Sequence, residues 1–399
     1  MHADVQGSPI SGSKIVLALG TTQTLAWASS YYLLAILADP IAKGVGMSAT
    51  SLFAAFSFSL LLSAVLGPRV GRAIDRFGGR AVLIGSNIFF AAGLASMAAA
   101  QSPAAIWTAW LLMGAGMGLG LYDAAFAALA RIYRAEARAY ITGITLMAGF
   151  ASTVGWPLTA WGLAALGWRE TCLAWAIAHL VIGIPLNMIL PKTAKEEAPI
   201  AQVKPHLSMD RNMWLLAFAF AAGWTISTAM AAHLPRLLQD AGATAQQAIL
   251  AGMMIGPAQV AARAIEASLM KRMHPLFSAR LSAALHPLGA ACLFLGSAGI
   301  SIFALFHGAG NGILTIARGT VPLALYGSEN YGYRLGILGV PSRIAQAASP
   351  LVFGILIDLL GASALAVSAT LGLAALAALC LVEPHQPAPE NDRIAEDAA

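Results

Sequence analysis

Charged and titratable side chains are rare inside the long apolar stretches of this 399-residue chain, and four stand out: Asp123, His307, Arg318 and Arg343. An ionisable group inside a membrane-crossing helix costs roughly 2.5–3.5 kcal/mol on insertion scales, so it tends to mark a solute or proton path. Asp123 is the candidate for proton coupling, because a buried carboxylate can exchange a proton. Arg318 and Arg343 are candidate anchors for a carboxylate or phosphate, which a guanidinium grips in a bidentate manner. Two such cations against one acid point to an anionic or polar solute. His307, Asn311 and Arg318 are spaced by 4 and 7 residues, which sets all three along one helical face.

Aromatic and hydroxyl side chains form a second group of candidates. Gln23, Trp27 and Tyr31 recur every 4 residues, Trp224, Ser227 and Thr228 occupy one side of their segment, and Tyr122 adjoins Asp123. They are able to supply aromatic walls and hydrogen bonds to a solute. Such stripes are more often packing or an interfacial belt, but Trp27 and Trp224 lie in the middle of apolar segments, which favours a cavity.

The elements that carry these residues follow from composition. The chain is 58% hydrophobic and 10% charged with a mean hydropathy of +0.73, outside the range of soluble domains. Twelve apolar stretches are long enough to cross a hydrocarbon core of about 30 Å as helices: 15–38, 48–70, 81–100, 105–131, 139–165, 170–190, 213–235, 246–268, 277–297, 299–325, 334–360 and 361–382. Backbone amides in hydrocarbon must be bonded within their own segment, so the expected class is an all-α membrane protein of twelve transmembrane helices. With the N-terminus cytoplasmic, 18 of the 23 Lys and Arg fall at cytoplasmic ends, among them Arg69, Arg72, Arg131, Arg134, Arg138, Lys192, Lys195, Lys271 and Arg272. Both termini are then cytoplasmic. Topology accounts for the net charge of +5, and nothing calls for nucleic acid.

The first 13 residues are polar and lead into a full-length span without a convincing cleavage site, so the first helix is expected to be retained. Cys172, Cys292 and Cys380 are too few and too scattered for a disulfide framework or a zinc site. Ala richness and short connections suggest a bacterial inner membrane.

The longest polar interruption, 191–212, separates a first block (1–190) from a second (213–383), and an acidic tail (384–399) of disordered composition follows. Internal matches relate the two blocks. Gly114-Ala-Gly-Met-Gly118 recurs as Gly308-Ala-Gly-Asn-Gly312, Trp156-Pro-Leu158 as Ser349-Pro-Leu351, and Ala26-Trp27 with Ser30 as Gly223-Trp224 with Ser227, at offsets of 194, 193 and 197. Near-equal offsets in one order argue for duplication, a common device of transporters. The expected architecture is two pseudo-symmetric six-helix bundles joined by a cytoplasmic linker. By the same offset Arg318 corresponds to position 124, which sets Asp123 and Arg318 at similar depth. A structural ion pair, a gate, and separate proton and anion sites are all compatible with that.

Between the second and third spans the chain reads Gly67-Pro-Arg-Val-Gly71-Arg-Ala-Ile-Asp75-Arg76-Phe-Gly78-Gly79-Arg80. Gly71, Asp75, Arg76, Gly78 and Arg80 match in order the loop signature of the major facilitator superfamily, which the chain resembles over nearly its whole length. The resemblance implies a central cavity lined by the first, fourth, seventh and tenth spans, alternating access, and function as a monomer. Gly149, Gly155, Pro157 and Gly162 of the fifth span are similar to a Gly/Pro-rich pattern associated with exporters in that superfamily. Two departures matter. Many proton-coupled members carry an Arg in mid-fourth span, whereas Trp107-Thr-Ala-Trp110-Leu-Leu-Met-Gly114 has no charge. After the eighth span the signature survives only as Arg263-Ala-Ile-Glu266, an echo of Arg72-Ala-Ile-Asp75.

No HExxH, GxSxG or GxxxxGK[ST] pattern is present, so metal hydrolysis, a hydrolase elbow and ATP use have no support, and neither an enzyme nor a cofactor or metal is expected. A transporter-derived sensor would need a signalling domain, for which the linker and tail are short. The expected function is secondary active transport by alternating access, with protons and a small solute as partners. Proton-coupled export of a small organic or toxic compound is the first reading, and proton-linked uptake of an organic anion such as a monocarboxylate the second.

Overall fold

The computed structural model describes residues 11–192, 209–269 and 272–383. Most of the expected linker (193–208), the tail (384–399), Lys195 and Lys271 lie outside them. Among the described residues the chain is helical, with short 3-10 turns, one π turn and no strand. The helices are α1 (Gly12–Ser29), α2 (Leu34–Val45), α3 (Ala49–Phe77), α4 (Gly79–Ala99), α5 (Pro103–Gly120), α6 (Tyr122–Tyr133), α7 (Ala137–Ala148) and α8 (Ala151–Leu166). They continue as α9 (Trp168–Ala178), α10 (Ile184–Met188), α11 (Arg211–Asp240), α12 (Ala245–Leu269), α13 (Pro275–Cys292), α14 (Ser297–Tyr326), α15 (Tyr331–Leu360) and α16 (Ala364–Cys380).

Among the described residues nine helical runs are long and apolar enough to cross a bilayer, ten if the bent α1–α2 pair is one span. The run Tyr331–Cys380 enters that count once, yet at 1.5 Å per residue it measures about 75 Å against a core of about 30 Å. The turn Gly361–Ser363, with Gly361 at φ 57°, breaks it into α15 and α16. The expected ninth span is α13, where Arg280, His286, Pro275 and Pro287 dilute the apolar composition. Exposure suits a hydrocarbon solvent: Trp161, Trp214, Leu351 and Leu359 are exposed, while Gln23, Asn87, His179, Arg263 and Glu266 are buried beside the apolar core. The protein is integral to a membrane.

Helix starts follow local chemistry. Ser48 accepts from the Ser51 amide to cap α3, Ser102 precedes Pro103 at the first turn of α5, and Asp210 accepts from the Met213 amide to cap α11. Two breaks shape the centre. The first expected span splits at residues 30–33 into α1 and α2, bent by 40°. The fourth splits at Leu121, whose backbone is extended, so that α6 restarts at Tyr122 and sets Asp123 in its first turn, where the helix dipole favours an anion. The break removes the helical partner of the Gly120 carbonyl, and Gln23 supplies one, its Nε2 donating at 2.6 Å.

The segment up to Leu190 has one apolar core, from Ile15 of α1 through Phe90, Trp110 and Ile144, joined by Leu323, Tyr331 and Leu335 from the other half. The second half has two cores, one around Phe220, Leu325 and Leu379 and one around Leu234, Phe303 and Phe353. The halves meet along α3 and α15, along α6 and α15, and where α7 faces α12 and α14. On α3, Gly67 and Gly71 lie against Gly336 and Gly332 of α15, and a Cβ at Gly71 would overlap the Gly332 carbonyl. Small residues four apart on both helices thus bring two backbones into contact.

Candidate functional site

The fourth and tenth expected spans do meet, through the charges they carry. Arg318 of α14 donates from Nη2 to Asp123 Oδ2 at 2.8 Å, and Arg343 of α15 approaches the same oxygen at 3.4 Å. Asp123 is the shared partner of two buried guanidinium groups from the opposite half. Tyr31, in the break between α1 and α2, donates to Gln346 Oε1 at 3.0 Å, one helical turn beyond Arg343. These groups line a cavity together with Trp27, Tyr122, Phe126, Trp224 and Thr315. The free space inside is ≈ 10 Å³, room for at most a single water, so the site is closed around its own side chains.

Aromatic rings form much of the wall. The Trp27 ring lies 4.7 Å from Tyr31 and 5.0 Å from Tyr122, Tyr122 stacks on Phe126, and the Arg318 guanidinium sits 5.8 Å from the Trp224 ring. Arg263 of α12 stands one residue behind this wall. It donates to Thr315 Oγ1 at 3.3 Å and to the carbonyls of Thr145 and Gly312 at 3.1 and 3.3 Å.

The structure sorts the residues singled out from the sequence into three groups. Trp27, Tyr31, Tyr122, Asp123, Trp224, Arg318 and Arg343 come together around the central cavity. Gln23 is buried as the partner of the broken α5–α6 junction. Ser227, His307 and Asn311 line a separate cavity of ≈ 40 Å³ within the second half, and Thr228 donates back to the Trp224 carbonyl of its own helix. His307 and Arg318 share a face, but 11 residues separate them by about 16 Å along the axis. At the level of His307 that face meets α13: His307 Nδ1 lies 3.1 Å from His286 Nδ1, and His286 Nε2 lies 3.0 Å from Ser368 Oγ. Asn311 accepts from Ser227 at 3.0 Å.

Thr315, Phe126, Gln346, His286 and Arg263 complete these sites without having been candidates. Gln346 was within reach of sequence reasoning, since it follows Arg343 by three residues on one face of α15. Arg263 stood in the degenerate echo of the loop signature, whereas nothing in the spacing of His286 points to His307.

The loop-signature residues also acquire partners. Asp75 accepts from the backbone amides of Gly332 and Tyr333 at 2.9 and 2.8 Å, capping α15 from the other half. Arg72 lies over the Tyr333 ring, Arg76 over Phe77, Gly78 turns the chain between α3 and α4 at φ 80°, and Arg80 donates to the Leu190 carbonyl. In the echo, Glu266 is buried and accepts from Arg138 Nη2 at 3.0 Å and Ser278 Oγ at 3.2 Å.

Comparison with known proteins agrees with this geometry. Residues 19–306 match the model of the Major Facilitator Superfamily, and the chain belongs to that family. An uncharacterized 38 kDa protein in a 23S RNA operon of Thermoproteus tenax is 26% identical over 347 residues, 86% of this chain and 89% of that one. The multidrug resistance protein MdtH of Salmonella arizonae is 24% identical over 199 residues, about half of either chain at 49% each. Two solved structures share the fold. The human organic anion transporter MFSD10 superposes with a TM-score of 0.71 at 17% identity, covering 93% of this chain and 100% of that one. A variant of the E. coli fucose:proton symporter FucP gives 0.74 at 16%, covering 92% and 98%. The chain is a membrane transporter of this superfamily and not an enzyme.

Proposed function

We propose that this transporter carries a small organic anion together with a proton, Asp123 being the proton-coupling residue and Arg318 and Arg343 the anion-holding pair. The carrying observation is the charged triad, in which one carboxylate of the first half is shared by two guanidinium groups of the second. At 2.8 Å and an effective dielectric constant of about 20, the Asp123–Arg318 attraction is about 6 kcal/mol. Placing two charges in a membrane interior costs roughly 5–7 kcal/mol. The attraction offsets that insertion cost, so the groups are held in the bilayer as a pair and part only where water or another anion takes over the contact. Alternating access then follows from the rocking of two six-helix halves, 1–190 and 213–383, about the triad, with the cavity closed when the halves meet.

Proton-coupled export of a toxic organic compound is the second reading. It is favoured by the likeness to MdtH over half the chain and by Gly155, Pro157 and Gly162 in α8. With both termini cytoplasmic, as the distribution of Lys and Arg favours, the contacts at Asp75 and Glu266 would close the cytoplasmic end.

Purified protein in oriented vesicles, with a pH gradient imposed in either direction and a panel of labelled organic acids and neutral compounds, tests both readings. The expected outcome is accumulation on the alkaline side in wild type and equilibration without accumulation in Asp123→Asn. Gradient-driven accumulation that persists in Asp123→Asn removes that residue from coupling, and accumulation on the acidic side favours export by exchange.

A further inference from the structure

The central cavity is rich in donors that have nothing to bond. Trp27 Nε1, Trp224 Nε1, Arg318 Nε and Arg343 Nη1 are buried without a hydrogen-bond partner among the described residues. All four side chains line the same cavity, and the two arginines are 5% and 7% exposed. Buried polar atoms are nearly always satisfied, because each unpaired one forfeits the bonds it made in water. Four unpaired N–H groups around one small space call for a ligand made of acceptors. Asp123 answers only part of that demand, with a single oxygen serving both arginines while Arg318 Nε stays free.

We infer that the solute is a small aromatic monocarboxylate whose carboxylate takes the place of Asp123 on Arg318 and Arg343, while Asp123 takes up the proton that travels with it. The inference rests on the proton-linked anion reading above. Charge balance makes the exchange feasible. Asp123, Arg318 and Arg343 sum to one positive charge, and so do a bound carboxylate, a protonated Asp123 and the two arginines. The net buried charge is therefore unchanged, so the cost of desolvating the incoming carboxylate is offset by the neutralisation of Asp123. The proton comes from water and ends on Asp123, and no covalent bond to the solute forms or breaks.

The ionisable groups around Asp123 fit this exchange. Arg318 comes from α14, Arg343 and Tyr331 from α15, Tyr31 from the break between α1 and α2, and Arg263 of α12 stands behind Thr315, while α11 contributes the uncharged Trp224. No second carboxylate lies among them. The aromatic body follows from the wall: Trp27, Tyr31 and Tyr122 all belong to the first half and pack on one another with centroids about 5 Å apart, so they form one aromatic side of the cavity, against which a flat ring can lie as the halves part.

Calorimetric titration of the full-length protein in lipid nanodiscs tests this with benzoate, benzamide and acetate as probes, each in two buffers of different ionisation enthalpy. Benzoate is expected to bind with uptake of about one proton, and benzamide and acetate at least about tenfold more weakly, since each lacks one of the two features. In Asp123→Asn the competitor for the arginines is gone, so benzoate should bind severalfold tighter with no proton uptake. Equal affinity for benzamide, equal affinity for acetate, or benzoate binding without proton uptake in wild type would each overturn the inference. The proton count is taken on wild type, so it decides the matter even if Asp123→Asn does not assemble. Gradient-driven transport of a neutral solute with no benzoate binding would sink the inference while leaving proton-linked transport standing. Benzoate binding as described with no transport of any probe in vesicles would remove the transport reading alone.

Discussion

The two contacts that join the halves at the end of the bundle near Leu190 and Asp210 are built on related sequence and opposite chemistry. At α3 and α15 the contact rests mainly on backbone: Gly71 lies on Gly332, and Asp75 takes two main-chain amides of α15, with Arg72 laid over the Tyr333 ring. At α7 and α12 the Arg263-Ala-Ile-Glu266 segment works through side chains: Glu266 takes Arg138, and Arg263 reaches Thr145. A backbone contact has one geometry, because a carboxylate receiving two adjacent amides at a helix start is oriented by the helix itself. Long side chains keep their contact through shifts of an ångström or more. The first contact therefore behaves as a fixed latch and the second as a compliant one.

The comparison breaks most severely at Gly71. Gly71→Val would drive its side chain into the Gly332 backbone, which cannot yield, and should abolish transport and sharply reduce monodisperse protein on gel filtration. If Gly71→Val folds and transports normally, the backbone seam is not a constraint. Asp75→Ala leaves two amides at the start of α15 without their acceptor and should lower stability by about 2 kcal/mol, read as a drop in thermal midpoint together with a large loss of transport. Glu266→Gln keeps an acceptor for Ser278 and Arg138 but loses the charge, so the expected cost is about 1 kcal/mol with transport reduced only a few fold. An effect of Glu266→Gln as large as that of Asp75→Ala would erase the distinction between the latches.

The central site was only partly legible. Asp123 and Arg318 could be set at one depth in advance, because duplicated segments place equivalent residues at equivalent depth, but an ion pair, a gate and separate sites all fitted that depth. The offset was uninformative about Arg343, whose approach depends on how α15 crosses α6. Gln23, read as a solute contact, is consumed by the Gly120 carbonyl. No local signal reveals that the helix breaks at Leu121 and leaves that carbonyl to be satisfied. Ser227 and Asn311 satisfy each other in the second half, apart from the cavity they were expected to line.

What the sequence determined by itself was the solvent and the scaffold. Apolar segment length requires lipid and helices, the signature from Gly71 to Arg80 marks the connection after the second span, which the structure carries into the end of α3, and the repeat orders the helices. Only tertiary structure decided which polar groups meet. Helical spacing fixes a residue's face and its rise, but not the partner waiting at that height. His307 and Arg318 share one face of α14, yet one meets His286 inside its own half and the other Asp123 across the interface.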